Sequence, residues 1–151
     1  MSYYDIIELR RKGKKMRADN LETRVMKKVV ANRRRGVFLR ADFADLGEYD
    51  QVGRALRRLV RKGRLIRIGQ GLYAKAAQSP FDGSLAPVKG IRALAAEALS
   101  RLGVKSGLSR LEKAYNAGQT TQVPSGRVIA VDKRVRRKIG YNGAYVSFER
   151  G

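Results

Sequence analysis

An α+β fold is predicted for this chain of 151 residues: a helix-rich first half that closes on a β-hairpin, then a small mixed α/β unit. Three observations predict it. Apolar residues repeat at helical spacing over 21–30 and again over 51–62. Short β-type runs joined by Gly-containing turns occur at 65–74 and 128–148. Between the halves, 77–87 holds Pro80, Gly83, Ser84 and Pro87 with little periodicity, which reads as a linker.

The first half is taken in chain order. Residues 1–19 carry Tyr3, Tyr4, Ile6, Ile7 and Leu9, then Arg10, Arg11, Lys12, Lys14, Lys15 and Arg17. They read either as a short amphipathic helix or as a basic arm. Such an arm either follows phosphates or a minor groove, or is simply solvated. Asn20 is placed to cap a first helix, with Leu21, Val25, Val29, Met26 and Val30 as its apolar stripe. Arg33, Arg34 and Arg35 fall in its expected last turn before Gly36, where cations suit the helix dipole. Val37–Leu39 is a short β-type run, and Ala41–Leu46 is a brief second helix stopped by Gly47. Asp50 is the expected N-cap of a third helix over 51–62. There Val52, Ala55, Leu56, Leu59 and Val60 make a core-facing stripe, and Gly63 closes it. Leu65–Ile68, Gly69-Gln70-Gly71 and Leu72–Ala74 then read as a hairpin. Helix, strand, helix, turn, helix and hairpin is the order of a winged helix-turn-helix, assigned to 20–76.

The second unit, 88–151, is patterned less clearly. Ile91, Leu94, Ala95, Ala98, Leu99 and Leu102 mark a helix ended by Gly103, and Leu108, Leu111 and Tyr115 a shorter one. Val128–Val131 and Ala144–Phe148 read as strands, with an Asn142-Gly143 turn between 136–139 and the last strand.

Charge points to the partner. The chain holds 34 Lys+Arg against 13 Asp+Glu, a formal +21. Self-repulsion of that size does not help folding, and a polyanion, most commonly nucleic acid, is the usual reason to carry it. The excess is denser in the first half, with 21 basic and 8 acidic residues in 1–76 against 13 and 5 in 77–151. The chain has no Cys and no His, which excludes disulfides, thiolate nucleophiles, Ser/His/Asp and Cys/His catalysis and Cys- or His-ligated metal. Asp42 with Asp45, and Asp5 with Glu8, have the spacing of a Mg²⁺-binding pair but read better as solvated faces. No enzyme activity and no cofactor or metal are expected. With no apolar run near the roughly 18 residues of a membrane span and no apolar leader, a cytoplasmic, nucleoid-associated location is expected.

The helix over 51–62 is the most informative segment. Its apolar flank is spoken for, so Gln51, Arg54, Arg58 and Arg61 share the other flank, beside Arg57 and Lys62, with no acid in the run. A recognition helix needs this division of labour. Arg donates bidentately to guanine and Gln pairs with adenine, so Gln51 and Arg54, nearer the N-terminus, are the candidates for base readout. Arg57, Arg58 and Arg61 are candidates for phosphates. Arg40 and Lys62 join them, as do Arg64, Arg67 and Gln70 from the hairpin. Gly53 costs helix propensity, roughly 1 kcal/mol relative to Ala, and so marks a close approach of the second helix or of DNA. The hairpin itself is either a DNA-contacting wing or purely structural.

Several of these residues also carry a resemblance. Val37-Phe38, Asp42-Phe43, Asp45-Leu46-Gly47, Val52, Ala55-Leu56, Leu59-Val60, Gly63, Leu65, Ile68-Gly69 and Gly71-Leu72-Tyr73 resemble the winged-helix half of AbiEi-type antitoxins. Ala114–Gly118, Thr120–Pro124 and the strand at 128–131 resemble that family's C-terminal portion. The resemblance implies a winged helix that binds inverted repeats at its own promoter and represses. It also implies a C-terminal part that counteracts a nucleotidyltransferase toxin without a stable complex. The segment 116–124 carries over as a signature of that part, either a contact or a turn ended by Pro124. Double-stranded DNA is thus the expected partner. The alternatives are a stand-alone winged-helix regulator without a toxin, a non-specific architectural protein, or a basic RNA-binding protein. The last is disfavoured because aromatics make up only 7% of the chain and form no stacking strip.

Overall fold

A strand of alternating large apolar side chains can be buried on both faces only if something covers each face. That condition organises this protein, whose computed structural model describes residues 20–151. The basic segment 1–19 lies outside the described residues. The architecture is mixed α and β. Helix α1 (Leu21–Ala31) leads to strand β1 (Val37–Leu39), a 3₁₀ turn (Arg40–Phe43), helix α2 (Tyr49–Arg61), and strands β2 (Leu65–Gly69), β3 (Leu72–Gln78) and β4 (Leu85–Pro87). Helix α3 (Ile91–Arg101), β5 (Ser106–Leu108), α4 (Arg110–Asn116), β6 (Val128–Val131), β7 (Gly140–Tyr141), β8 (Ala144–Tyr145) and β9 (Ser147–Arg150) complete it.

The central sheet has the order β1-β3-β2, all antiparallel, with β4 on the far end of β3. Its side chains alternate between two cores. Phe38, Leu65 and Tyr73 point to one side, among Val25 and Val29 of α1, Phe43, and Val52, Leu56 and Leu59 of α2. Val37, Ile68, Leu72 and Ala74 point to the other. There they meet Leu94, Ala95, Ala98 and Leu99 of α3, Ile129 and Val131 of β6, Ile139 and Val146. The two halves of the chain therefore share one core. A second sheet, β5-β6-β9, pairs β6 antiparallel to β5 and parallel to β9, and the β7–β8 hairpin lies in the crossover.

Local signals explain most boundaries. Asn20 caps α1, its side chain accepting the Thr23 N–H at 3.0 Å. α4 begins with a capping box, Ser109 and Glu112 exchanging side-chain-to-backbone bonds. Asn142 (φ 52°) and Gly143 (φ 77°) make the expected Asn-Gly turn, between β7 and β8.

Five expectations need correction. The segment 77–87 is not an unpaired linker: β3 runs on to Gln78 and pairs with β4, so the Pro and Gly residues shape a hairpin. α1 ends at Ala31, with Asn32 as its C-cap, so Arg33–Arg35 lie beyond the last turn. α2 begins two residues earlier than expected, with Glu48 rather than Asp50 at the N-cap. Leu108 belongs to a strand rather than a helix. The strand expected over 144–148 divides at the buried Val146 into β8 and β9, which join different sheets.

Magnitudes decide how independent the halves are. Val37, Ile68 and Leu72 are at most 1% exposed. Uncovering three such side chains costs about 1.5–3 kcal/mol each, comparable with the whole net stability of a domain, about 5–15 kcal/mol. The protein is therefore expected to unfold in one transition, watched by urea denaturation with far-UV circular dichroism. Leu99→Ala, on the far side of the shared core, should cost about 2–5 kcal/mol and shift that single midpoint. Two separated transitions would show that the halves are independent.

Candidate nucleic-acid interface

Helix α2 is built from the inside out. Val52, Ala55, Leu56 and Leu59 are all at most 2% exposed, which fixes its roll against α1 and the sheet. At 3.6 residues per turn, the positions farthest from that stripe are 50, 54, 57 and 61, occupied by Asp50 and three arginines. Arg54, Arg57 and Arg61 are exposed, and among the described residues none has a hydrogen bond, ion pair or ring contact. Asp50 lies on this face one turn before Arg54, but among the described residues no carboxylate is paired with any of the three.

The row Gln51, Arg54, Arg58 and Arg61 expected from the sequence is divided accordingly. Arg58 and Lys62 turn toward α1, where the Glu22 carboxylate, only 11% exposed, hydrogen-bonds the Lys62 ammonium and lies 3.9 Å from Arg58 Nε. These two cations hold α2 to α1 as well as facing solvent, and their net charge is partly cancelled. Gln51 is exposed and leans over Gly47. The run 51–62 contains no acid to pair with, but Glu22 sits in α1 on the same face as Val25 and Val29. That one acid in the apolar stripe was the only sequence signal of the pairing.

Arg40 occupies the other flank. Its guanidinium stacks on the Tyr49 ring, 4.1 Å from the centroid, and lies against Gly53. A Cβ at position 53 would stand 2.7 Å from Arg40 Cζ, so the glycine makes room for the side chain of the first residue of the 3₁₀ turn that precedes α2. Arg40 Nε is buried with no hydrogen-bond partner among the described residues. The cation is held in place without being neutralised. Nothing in the sequence pattern identified Tyr49 as its platform.

Around the hairpin, Arg64 is exposed and unpaired among the described residues. Arg67 is exposed and its Nε donates to the Gly69 carbonyl at 3.3 Å. Gln70 is exposed at the turn, and its carbonyl accepts from Arg137 at 3.0 Å. The structure thus groups Arg40, Arg54, Arg57 and Arg61 on and beside one helix, and puts Arg67 and Gln70 against a second basic segment that sequence reasoning had not singled out.

The acidic pair Asp42 and Asp45 is engaged in packing. Asp42 accepts the Leu39 N–H at 2.8 Å and pairs with Arg101 of α3 and with Arg35. Asp45 pairs with Lys28 at 2.6 Å, a hydrogen bond that holds its carboxyl below the usual carboxylate value. Through Asp42 the turn ahead of α2 is tied to α3. Among the described residues no helix is long and apolar enough to cross a membrane.

A family model described as a family of unknown function, DUF6088, matches residues 24–149, and the chain belongs to that family. The match covers both the helical half and the second half. Comparison with curated proteins and with solved structures finds no match.

Gly53→Ala tests the Arg40 arrangement. Removing the glycine gains up to about 1 kcal/mol of helix propensity, while displacing the guanidinium from Tyr49 loses about 0.5–1 kcal/mol. The melting temperature should therefore change little. The Arg40 side-chain NMR signals, shifted by the Tyr49 ring current, should move toward their random-coil positions; unmoved signals would refute the stacking.

Proposed function

We propose that this protein is a sequence-specific DNA-binding regulator in which residues 20–76 act as a winged helix-turn-helix, α2 as the recognition helix and the β2–β3 hairpin as the wing. One observation carries the reading. Arg54, Arg57 and Arg61 are exposed, unpaired among the described residues and aligned along a helix whose opposite face is wholly buried. A solvated face ordinarily mixes signs, whereas this one carries three bidentate donors against a single acid, Asp50, at its N-terminal end. Arg40, held on Tyr49 beside the start of the same helix, adds a pre-positioned cation.

Within that reading the roles divide by depth along the helix. Gln51 and Arg54, nearer the N-terminus, read base edges; Arg57, Arg61 and Arg64 meet phosphates. Arg58 and Lys62, partly neutralised by Glu22, contribute less. The resemblance to AbiEi-type antitoxins extends the proposal: the protein represses its own operon and counteracts a nucleotidyltransferase toxin. The neighbouring reading frame tests that extension, which requires a nucleotidyltransferase there whose toxicity this protein relieves on co-expression.

The binding reading is tested by fluorescence anisotropy on the duplex upstream of the protein's own gene, a random duplex of equal length, and a structured RNA. The upstream duplex should bind roughly 10³-fold or more tighter than the random one. Equal affinity for both duplexes would identify an architectural protein, and preference for the RNA would overturn the DNA reading. Arg54→Ala should weaken the upstream duplex by roughly 1–3 kcal/mol and random DNA far less. Arg61→Ala should weaken both alike and flatten the log K against log salt slope by about 0.9.

A further inference from the structure

Away from α2, a second concentration of charge among the described residues lies where the hairpin turn meets the segment before β7. An open cleft of about 670 Å³ is lined there by Arg67 and Gln70 of the turn, Arg136, Arg137 and Lys138, and Tyr145. Among the described residues no carboxylate lines it. Its floor is firm. Arg137 donates to the Gln70 carbonyl at 3.0 Å, and Gly69 approaches the Lys138 carbonyl so closely that a Cβ there would lie 2.8 Å from it. Ile139, fully buried in the shared core, anchors the segment while 136–138 stay exposed. The Lys138 ammonium stands over the Tyr145 ring, 5.8 Å from its centroid.

Four cations gathered around one concavity, with no acid to offset them, repel one another, and their exposed positions contribute nothing to the core. We infer that this cleft is a second nucleic-acid contact, a clamp for the phosphate backbone that flanks the segment read by α2. The inference rests on the proposed DNA-binding function. Backbone phosphate is favoured over an acidic protein segment because the hairpin turn is common to the cleft and to the proposed wing. Five of the nine lining residues, moreover, are Arg67, Gln70, Arg136, Arg137 and Lys138, whose side chains end in hydrogen-bond donors suited to phosphate oxygens. A duplex strand presents a charge about every 3.4 Å, dense enough to meet several of these cations at once. The clamp positions the duplex and reads no sequence.

The test compares Arg136→Gln/Lys138→Gln with Lys133→Gln/Arg134→Gln, a control that removes the same charge outside the cleft. Both leave the Arg137–Gln70 hydrogen bond in place. Each protein is titrated with the upstream duplex, long and trimmed at its flanks, and with the random duplex across a salt series. Loss of two phosphate contacts should flatten the log K against log salt slope by about 1.8 on the long duplex. The ratio of upstream to random affinity should stay unchanged, and the trimmed duplex should lose little. The control pair should change the slope much less. If the double variant melts early, Arg136→Gln alone serves, since among the described residues that side chain has no hydrogen-bond partner; its expected loss is about 0.9. An unchanged slope in a wild type that binds DNA, or an equal loss in the control, overturns the clamp alone. Binding of an acidic peptide at the cleft in place of duplex also overturns it. A wild type that binds no duplex overturns the DNA-binding reading and the clamp with it.

Discussion

The three-stranded sheet β1-β3-β2 is covered on both faces, and the rest of the structure depends on that double cover. Val37, Phe38 and Leu39 alternate sides in β1, as do Leu72, Tyr73 and Ala74 in β3, so each strand feeds both cores. Neither face has enough polar surface to meet water alone. The α1–α2 layer answers one side and α3 with β6 and Ile139 answers the other. An arrangement that reads along the chain as two units is physically one, because the sheet of the first half is the floor of the second.

Polar ties follow the same geometry. Both Glu97 oxygens accept the Gly36 N–H, at 3.0 and 2.9 Å, just ahead of β1. Arg101 meets Asp42 in the turn ahead of α2. The first reaches from α3 to the entry of β1 in the sheet, and the second to the turn that sets the entry of α2 on the sheet's opposite side. The second half therefore governs the posture of the basic helix although it contributes nothing to that helix's exposed face. On this account a core substitution in α3 bears on α2 through packing, while a substitution at Arg54 or Arg57 leaves the fold unaffected.

Charge is managed by place rather than by sum. Three acids of the first half hold elements together: Glu22 for α2, Asp42 for the turn and Asp45 for α1. Glu48 and Asp50, at the start of α2, are exposed among a larger number of exposed cations. Pairing leaves the net +21 unchanged but decides where charge is free: neutralised cations lie at packing junctions, while unpaired ones lie on α2 and around the hairpin turn.

Helical periodicity was enough to locate α1, α2 and α3 from residues alone, because burying one stripe of a helix leaves a 3.6-residue signature in the chain. Asn20 at its cap, Asn142-Gly143 at its turn and Val128–Val131 as a strand were legible for the same reason: their determinants lie within a few residues. Which arginines of α2 are free was not legible, since that depended on Glu22, 40 residues from Lys62. Nor was the stacking of Arg40 on Tyr49, the pairing of β4 with β3, or the meeting of Gln70 with Arg137, 67 residues apart. Local chemistry determines what each segment can be. Only the folded sheet, by bringing distant side chains to one place, decides which charges are cancelled and which are left to act.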